Sequence, residues 1–162
     1  MSTDQDAMAL ALAQAREAGA RGDVPVGAVL LSPAGELLAA AGNRRQIDGD
    51  PTAHAEILAL RAAGVAPGDW RMSGCTLVVT LEPCTMCAGA IVLARLDRLV
   101  LGAWDEKAGA CGSTRDVVRD SRLNHQVQVT GGVRAEESTR LLTAFFTSRR
   151  GAAGEEPPQP AG

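Results

Sequence analysis

Apolar residues recur with a helical period near the start of the chain. The positions involved are Met8, Leu10, Leu12, Ala15 and Ala18. This spacing predicts an amphipathic helix. Gly19 and Gly22 follow it, and glycine is the residue type at which helices commonly end. The first predicted element is therefore a helix that ends at these glycines.

After this helix the pattern changes to short apolar segments separated by turn residues. Segments 24–31 and 36–42 flank the turn sequence SPAG and predict a β-hairpin. Asp50 and Pro51 have the character of an N-cap and a first helical residue, which predicts a helix that continues to about Ala63. The other predicted elements are strands at 75–81, 99–101 and 127–130, and helices at 82–95 and 135–150. This order is typical of an α/β protein with one mixed five-stranded sheet and helices on both faces.

The composition fits one globular domain over residues 1–150. Of the 162 residues, 46% are apolar and 22% are charged, as in ordinary soluble proteins. With two Phe, two Trp and no Tyr, the core must consist mainly of Val, Leu, Ile and Ala. The last segment, GAAGEEPPQPAG at 151–162, has few residues that can bury apolar surface, and we predict that it is a disordered tail.

Charge and hydropathy limit the partners and the location of the protein. The net charge of −3 argues against a protein that coats nucleic acid with a whole basic face, but it is compatible with a local basic patch. The N-terminal segment has acidic residues early and lacks the basic start and apolar run of a signal peptide. No apolar run reaches the roughly 18 residues that a membrane helix needs. We therefore expect a cytoplasmic protein that does not bind membranes.

Three side chains have the chemistry of a zinc site. Cys84 and Cys87 form a C-x-x-C at the start of one predicted helix, and His54 lies near the start of another. Thiolates and imidazoles bind zinc in a tetrahedron, and a catalytic site leaves one position open for water. Because both helices follow strands of the same predicted sheet, their N-termini can meet at its carboxyl edge. We therefore predict one zinc ion bound by His54, Cys84 and Cys87.

Glu56 lies two positions after His54, a spacing that does not place two side chains on one face of a helix. Near a helix N-terminus, however, both side chains can reach a point beyond the end of the axis. His54 would then bind the metal, and Glu56 would approach the water from another side. A carboxylate in that place can take a proton from the water and return it to a leaving group.

These residues also have other interpretations. A C-x-x-C alone is equally typical of a redox dithiol or of two core cysteines, and a single His at a helix start is often a capping or packing residue. Cys75 is most simply a core residue, but a fourth ligand at Cys75 or Cys111 would make the site closed and structural. The conjunction of H-A-E with P-C-x-x-C about thirty residues later favours the catalytic interpretation, because it is the signature of zinc-dependent nucleobase deaminases.

Seven segments carry a closer resemblance to a known family. They are DVPVGAVL (23–30), GNR (42–44), DPTAHAEILALR (50–61), TLVVTLEPCTMCAGAI (76–91), LGAWDEKAGACGS (101–113), LNH (123–125) and LLTAFFTSRR (141–150). Over residues 5–150 the chain resembles the bacterial tRNA-specific adenosine deaminases, within the cytidine deaminase superfamily. The zinc signature is common to the superfamily, whereas G-A-x-D-x-K-x-G-A, the Asn-His pair and the terminal Phe-Phe with basic residues are similar to the tRNA branch.

The resemblance implies both a fold and an activity. The fold would be the three-layer α/β/α cytidine-deaminase-like fold. The activity would be hydrolytic conversion of adenosine to inosine at the wobble position of a tRNA anticodon, usually that of tRNA-Arg. It would use one Zn²⁺ per subunit, a zinc-activated water that attacks C6 of adenine, and Glu56 as the proton shuttle. Family members are homodimers whose active site borrows from the neighbouring subunit, so we expect a homodimer.

The resemblance also implies contacts with a tRNA anticodon stem-loop. Val26 and Asn43 would line the pocket of the flipped nucleotide. Backbone beside Ala55 would help to hold the base, and Leu81 comes shortly before the thiolate ligands. Contacts with neighbouring nucleotides and with the stem-loop are implied at Asp105, Lys107, Asn124, Phe145, Phe146, Arg149 and Arg150. Each has a structural alternative: Asn43 could close a turn, Asp105 and Lys107 could be a solvated pair, one Phe could belong to the core, and the arginines could complement a helix dipole.

Two other functions compete with tRNA editing. A deaminase of a free nucleobase or nucleoside, such as guanine or cytosine, would use the same zinc chemistry but would need neither RNA nor a basic C-terminal helix. A zinc-stabilised binding module without catalysis would have a fourth protein ligand and no role for Glu56.

Overall fold

The structure is a computed structural model, which describes residues 3–64 and 69–153. The described chain contains five helices and five strands. In order they are α1 (Asp4–Ala20), β1 (Gly27–Leu31), β2 (Leu37–Gly42), α2 (Arg45–Asp48), α3 (Ala55–Ala62), β3 (Thr76–Leu81), α4 (Thr85–Leu93), β4 (Arg98–Ala103), β5 (Gln128–Thr130) and α5 (Ala135–Ala153).

The five strands form one mixed sheet in the order β2-β1-β3-β4-β5. Strand β1 is antiparallel to both β2 and β3, whereas β3, β4 and β5 are parallel to one another. The hairpin and the mixed five-stranded sheet are therefore confirmed. Because β3 and β4 are parallel, their carboxyl ends, Leu81 and Ala103, are register partners at one edge of the sheet.

Helices cover both faces of the sheet, which confirms the predicted α/β/α layering. Alternate residues of each strand point to opposite faces. On one face Leu30, Leu77 and Leu99 pack with Ala59 of α3 and Ile91 of α4. On the other face the register partners Val29, Val78 and Val100 pack with Met8 and Leu12 of α1, and α5 packs beside α1 and β4.

Close packing of α1 depends on a glycine in β1. A Cβ added at Gly27 would lie 2.0 Å from the carbonyl oxygen of Ala11 and 2.6 Å from the amide nitrogen of Ala15. Both contacts are far shorter than van der Waals distance and involve backbone, which cannot move aside. Gly27 therefore sets how closely the helix approaches the sheet.

The predicted start of α3 is wrong, and the reason is a local turn. Asp50 does not cap a helix: its carboxylate accepts hydrogen bonds from the amide and the hydroxyl of Thr52, each at 2.8 Å. Such side-chain turns compete with helix formation. The helix begins at Ala55 instead, with His54 as its N-cap. The predicted start of α4 at residue 82 is wrong as well, because the helix begins at Thr85 with Cys84 as the N-cap.

Two further differences concern α2 and the chain end. The single-turn helix Arg45–Asp48 has no counterpart among the predicted elements. Helix α5 continues to Ala153, three residues past the predicted boundary at 150, where two alanines favour helix. The rest of the predicted tail, residues 154–162, lies outside the described residues. Within the part of the chain that the structure describes, no helix combines the length and apolar character needed to cross a bilayer.

Candidate metal centre and active site

The three predicted metal ligands lie together at two helix N-termini. His54 caps α3, Cys84 caps α4, and Cys87 lies in the first turn of α4. The Nδ1 atom of His54 is 3.6 Å from the Sγ atom of Cys84 and 3.5 Å from that of Cys87. All three ligand atoms lie within 4.8 Å of one another. The two helices therefore bring together residues that are thirty positions apart in the sequence.

These distances fit a zinc ion. With Zn–S bonds of about 2.3 Å and Zn–N bonds of about 2.0 Å, neighbouring N and S ligands of a tetrahedron are about 3.5 Å apart. Because Nδ1 of His54 faces both thiols, it is the ring nitrogen placed to bind, a point that the sequence left open. Within the described residues the group consists of these three ligands alone, without Cys75 or Cys111. Three protein ligands are the number found in catalytic zinc sites, which keep one position for water.

The electrostatics of the cluster favour a bound cation. The pKa of Cys84 is lowered to about 4, chiefly by the hydrogen bond from the Cys87 thiol and also by the one from His54. The pKa of Cys87 is raised, because its proton is held by that same hydrogen bond to Cys84. The pKa of His54 is raised by its hydrogen bond with Cys84. The lowered pKa of Cys84, at a helix N-terminus, favours the thiolate form that binds a metal.

Glu56 is a buried carboxyl group beside this cluster. It is the second residue of α3, is 1% exposed, and neither carboxyl oxygen has a hydrogen-bond partner among the described residues. Burial raises its pKa to about 7, and its charge interacts with those of His54 and Cys84. Buried polar groups are rarely left unpaired. A carboxyl group with two free oxygens and a pKa near neutrality is suited to taking up and releasing a proton.

Asn43 and Val26 form a buried wall next to the ligand-bearing turn. The Asn43 amide donates to the Val26 carbonyl at 3.0 Å, and the Asn43 side-chain oxygen accepts from the amide of Arg45 at 3.0 Å. The Arg44 amide in turn donates to the carbonyl of Ala53, directly before His54. Asn43 therefore does close a turn, which leaves its side-chain NH₂ as the group that can donate to a ligand. Ala55, fully buried, is the first residue of α3.

Five of the other predicted residues line one groove at the carboxyl edge of the sheet. They are Leu81, Asp105, Lys107, Phe146 and Arg150. The groove has a volume of about 450 Å³ and does not include the metal ligands. Asp105 is not half of a solvated pair with Lys107, because it is buried and its Oδ1 accepts from the backbone amides of Lys107 and Ala108 at 3.0 and 3.1 Å. Its Oδ2 is buried without a partner among the described residues.

Phe145 and Arg149 lie away from this groove. The Arg149 guanidinium stacks 4.6 Å from the centre of the Phe145 ring and donates to the carbonyl of Gly22. Both Phe145 and Phe146 are half-buried and pack against the main core, with their ring centres 5.5 Å apart. Of the two neighbouring arginines, Arg150 faces the groove and Arg149 is engaged with the protein.

Asn124 is not brought to the site within one chain. It is exposed, and its neighbour His125 donates a hydrogen bond from Nε2 to the carbonyl of Leu96 at 2.5 Å. Leu96 precedes β4 at its amino end, whereas Ala103, at the carboxyl end of β4, lines the groove. Asn124 therefore belongs to the opposite edge of the sheet.

Sequence reasoning missed Trp104 as part of the groove. Trp104 lines the groove and is 45% exposed, and its ring lies against the backbone of Gly131. An available signal was its place directly before Asp105 in a chain with only two tryptophans. An exposed aromatic side chain that lines a groove is a common feature of surfaces that stack on nucleobases.

Comparison with known proteins finds deaminases similar to this chain in both sequence and structure. Residues 1–103 match the family model described as the cytidine and deoxycytidylate deaminase zinc-binding region. The tRNA-specific adenosine deaminase of Bacillus subtilis (strain 168) is 45% identical over 150 residues, which cover 93% of this chain and 92% of that protein. A structure from studies of A-to-I editing by tRNA:A34 deaminases at the wobble position is 46% identical, with a TM-score of 0.80, covering 85% of this chain and 99% of that one. A guanine deaminase from Nitrosomonas europaea is 25% identical, with a TM-score of 0.74, covering 90% and 85%.

Proposed function

The chain belongs to the cytidine and deoxycytidylate deaminase family, and we propose that it hydrolyses adenosine to inosine at the wobble position of a tRNA anticodon. The observation that carries this proposal is the metal cluster with the buried Glu56 beside it, whose carboxyl oxygens have no hydrogen-bond partner among the residues that the structure describes. The similarity to tRNA-specific adenosine deaminases over nearly the whole chain supports adenosine in tRNA as the substrate.

The reaction consumes one water and releases one ammonia for each adenosine. His54, Cys84 and Cys87 would hold a zinc ion, which when bound supplies Lewis-acid chemistry that makes water acidic near neutral pH. Glu56 accepts a proton from the water that attacks C6 of adenine. It then delivers that proton to the exocyclic nitrogen, which leaves as ammonia, and the second proton of the water ends on N1 as C6 becomes the carbonyl of inosine.

The remaining residues bind and orient the RNA. Asn43 offers its side-chain NH₂ to the flipped base, and Val26 and Ala55 bound the space that the base occupies. Around it, the groove with Asp105, Lys107 and Arg150 offers an acceptor for sugar or base groups and cations for phosphates. We propose tRNA-Arg as the substrate on the basis of the family resemblance, and hence the cytoplasm as the place of action.

A homodimer is part of this proposal. Met86 and Leu93 are 37% and 68% exposed on α4, and Gly89 and Ala90 lie between them on the same face. Exposed apolar helix faces of this kind are commonly covered by a partner. Asn124, which lies at the opposite edge of the sheet within one chain, would reach an RNA substrate only from a second subunit. Sedimentation of the zinc-loaded protein tests this: Leu93→Glu should shift a dimer to a monomer, and a monomeric wild-type protein would contradict it.

The decisive experiment offers the zinc-loaded protein several substrates in parallel. One is an anticodon stem-loop of tRNA-Arg with adenosine at the wobble position, and the matched control is the same stem-loop with adenosine one position away. The others are free adenosine, guanine and cytosine nucleosides. We expect inosine from the wobble-adenosine stem-loop alone. Deamination of guanine without any reaction of the stem-loop would assign the chain to the activity of its guanine deaminase neighbour instead.

A further inference from the structure

Glu82 is a fully buried acid that takes no part in the metal cluster or in the proton transfer. It is 0% exposed and lies two residues before Cys84. An ionised carboxylate removed from water is costly unless a cation or hydrogen bonds compensate its charge. No ion pair in the part of the chain that the structure describes includes Glu82.

The carboxylate of Glu82 is compensated by four hydrogen bonds instead. Its Oε1 accepts from the amide of Asp105 at 2.9 Å and from the hydroxyl of Ser113 at 2.6 Å. Its Oε2 accepts from the amides of Cys111 at 3.0 Å and Ser113 at 3.1 Å. All the donors belong to one segment, residues 105–113. Hydrogen bonds to a charged acceptor are about twice as strong as neutral ones, so this single side chain holds the whole segment.

The same segment lies directly against the ligand Cys84. Gly109 forms a β-bridge with Cys84, and the amide of Ala110 donates to the Pro83 carbonyl at 2.8 Å. A Cβ at Gly109 would lie 2.3 Å from the carboxyl carbon of Glu82, so only glycine allows this approach. The segment is thus fixed to residues 82–84 along its length.

The other end of the segment faces the groove. Asp105 and Lys107 line it, and Oδ2 of Asp105 is buried there without a partner among the described residues. We propose that Glu82 is a positioning residue, which holds Asp105 and Lys107 in the groove at a fixed place relative to Cys84. Glu82 does not touch substrate and acts through Asp105. The identity of the ligand in the groove, an RNA nucleotide next to the edited adenosine, rests on the proposed function.

Ser113 and Thr114 offer a matched pair of hydroxyl deletions. The Ser113 hydroxyl lies 2.6 Å from Oε1 of Glu82 and 2.7 Å from the carbonyl of Asp105, whereas that of Thr114 donates to the Glu106 carbonyl at 3.0 Å. We expect Ser113→Ala to raise KM for the wobble-adenosine stem-loop about tenfold with little change in kcat, since it removes a bond to a charged group. Thr114→Ala should leave both constants unchanged. Equal effects of the two variants would overturn the proposal.

A double-mutant cycle tests whether Glu82 acts through Asp105. In Glu82→Gln one carboxylate oxygen is replaced by an NH₂ group, which cannot accept hydrogen bonds from the amides of the segment. Because the segment then loses its fixed position, we expect kcat/KM to fall by up to about 100-fold while the zinc content stays unchanged. Combined with Asp105→Asn, the loss should equal that of the larger single variant. If the losses of kcat/KM in the two single variants were additive, or if zinc content fell in proportion to activity, Glu82 would have a structural role only.

Hydrogen exchange separates this proposal from the proposed function. In the zinc-loaded protein without RNA, Glu82→Gln should speed exchange at the amides of Asp105, Cys111 and Ser113 and leave Val78 of β3 unchanged. Unchanged exchange at all three amides would overturn the positioning role even if the protein edits tRNA. Faster exchange in a protein that edits no stem-loop would refute the tRNA function and leave Glu82 positioning the groove for another ligand.

Discussion

The metal centre and the groove lie at the same edge of the sheet, but they are built in different ways. The metal centre consists of His54, Glu56, Cys84 and Cys87, all at or within three residues of a helix N-cap. The groove takes residues from the ends of β3 and β4, from the segment after β4, and from α5 between Thr139 and Arg150. The geometry of two helix N-termini therefore determines the chemistry of the metal centre. The packing of segments that are distant in the sequence determines which residues line the groove. A change in either region that leaves the contacts between residues 82–84 and segment 105–113 in place should leave the other region largely intact.

The largest expected effect is loss of the metal. In Cys87→Ala the cluster keeps only two of its three ligands, so the protein should retain no zinc after dialysis and should form no inosine. Stem-loop affinity should stay within about twofold of wild type, as for sites that act independently. Zinc analysis, single-turnover deamination and a binding titration measure the three quantities.

Cys75→Ala is the matched control for this change. Cys75 is also buried, but it lies outside the ligand group. It should keep both zinc and activity. Loss of RNA affinity in Cys87→Ala but not in Cys75→Ala would show that the groove depends on the metal. That result would contradict the independence of the two regions.

The next largest effect is expected at Glu56. Glu56→Gln preserves volume but cannot carry the proton, so kcat should fall by about 10² to 10⁴, the usual contribution of general acid–base catalysis. Zinc content and stem-loop affinity should be unchanged, because Glu56 lies outside the group His54, Cys84 and Cys87 and does not line the groove. Loss of zinc in this variant would reassign Glu56 from proton transfer to metal binding.

The difference between the two regions also explains what the sequence could predict. Ligand identity follows from short motifs, H-A-E and P-C-x-x-C, and survives an error of several residues in the helix boundaries. The start of α3 is such an error, since Asp50 is engaged with Thr52, yet His54 still lies at the N-terminus. Short apolar segments rich in Val and Leu, such as 75–81 and 99–101, were sufficient to predict the strands of the sheet.

The roles of the groove residues could not be predicted from short sequence motifs in the same way. Arg149 and Arg150 are adjacent and chemically identical, and only the packing of α5 directs one toward Gly22 and the other toward the groove. The role of Glu82 depends on hydrogen bonds to residues up to 31 positions away, which no local pattern encodes. Asn124 belongs to the Asn-His pair of the family resemblance, but within its own chain it lies at the edge of the sheet opposite the groove.

The smallest of these effects separates the two neighbouring arginines. Arg150→Gln should weaken stem-loop binding several-fold and lower the slope of log affinity against log salt by between about 0.7 and 1, the value for one lost phosphate contact. Arg149→Gln should keep that slope, because its guanidinium donates to Gly22 and stacks on Phe145, and should lower the free energy of unfolding by about 1 kcal/mol. Binding titrations at several salt concentrations and urea unfolding measure both. Equal slopes in the two variants would mean that the groove is not the face that meets RNA phosphate.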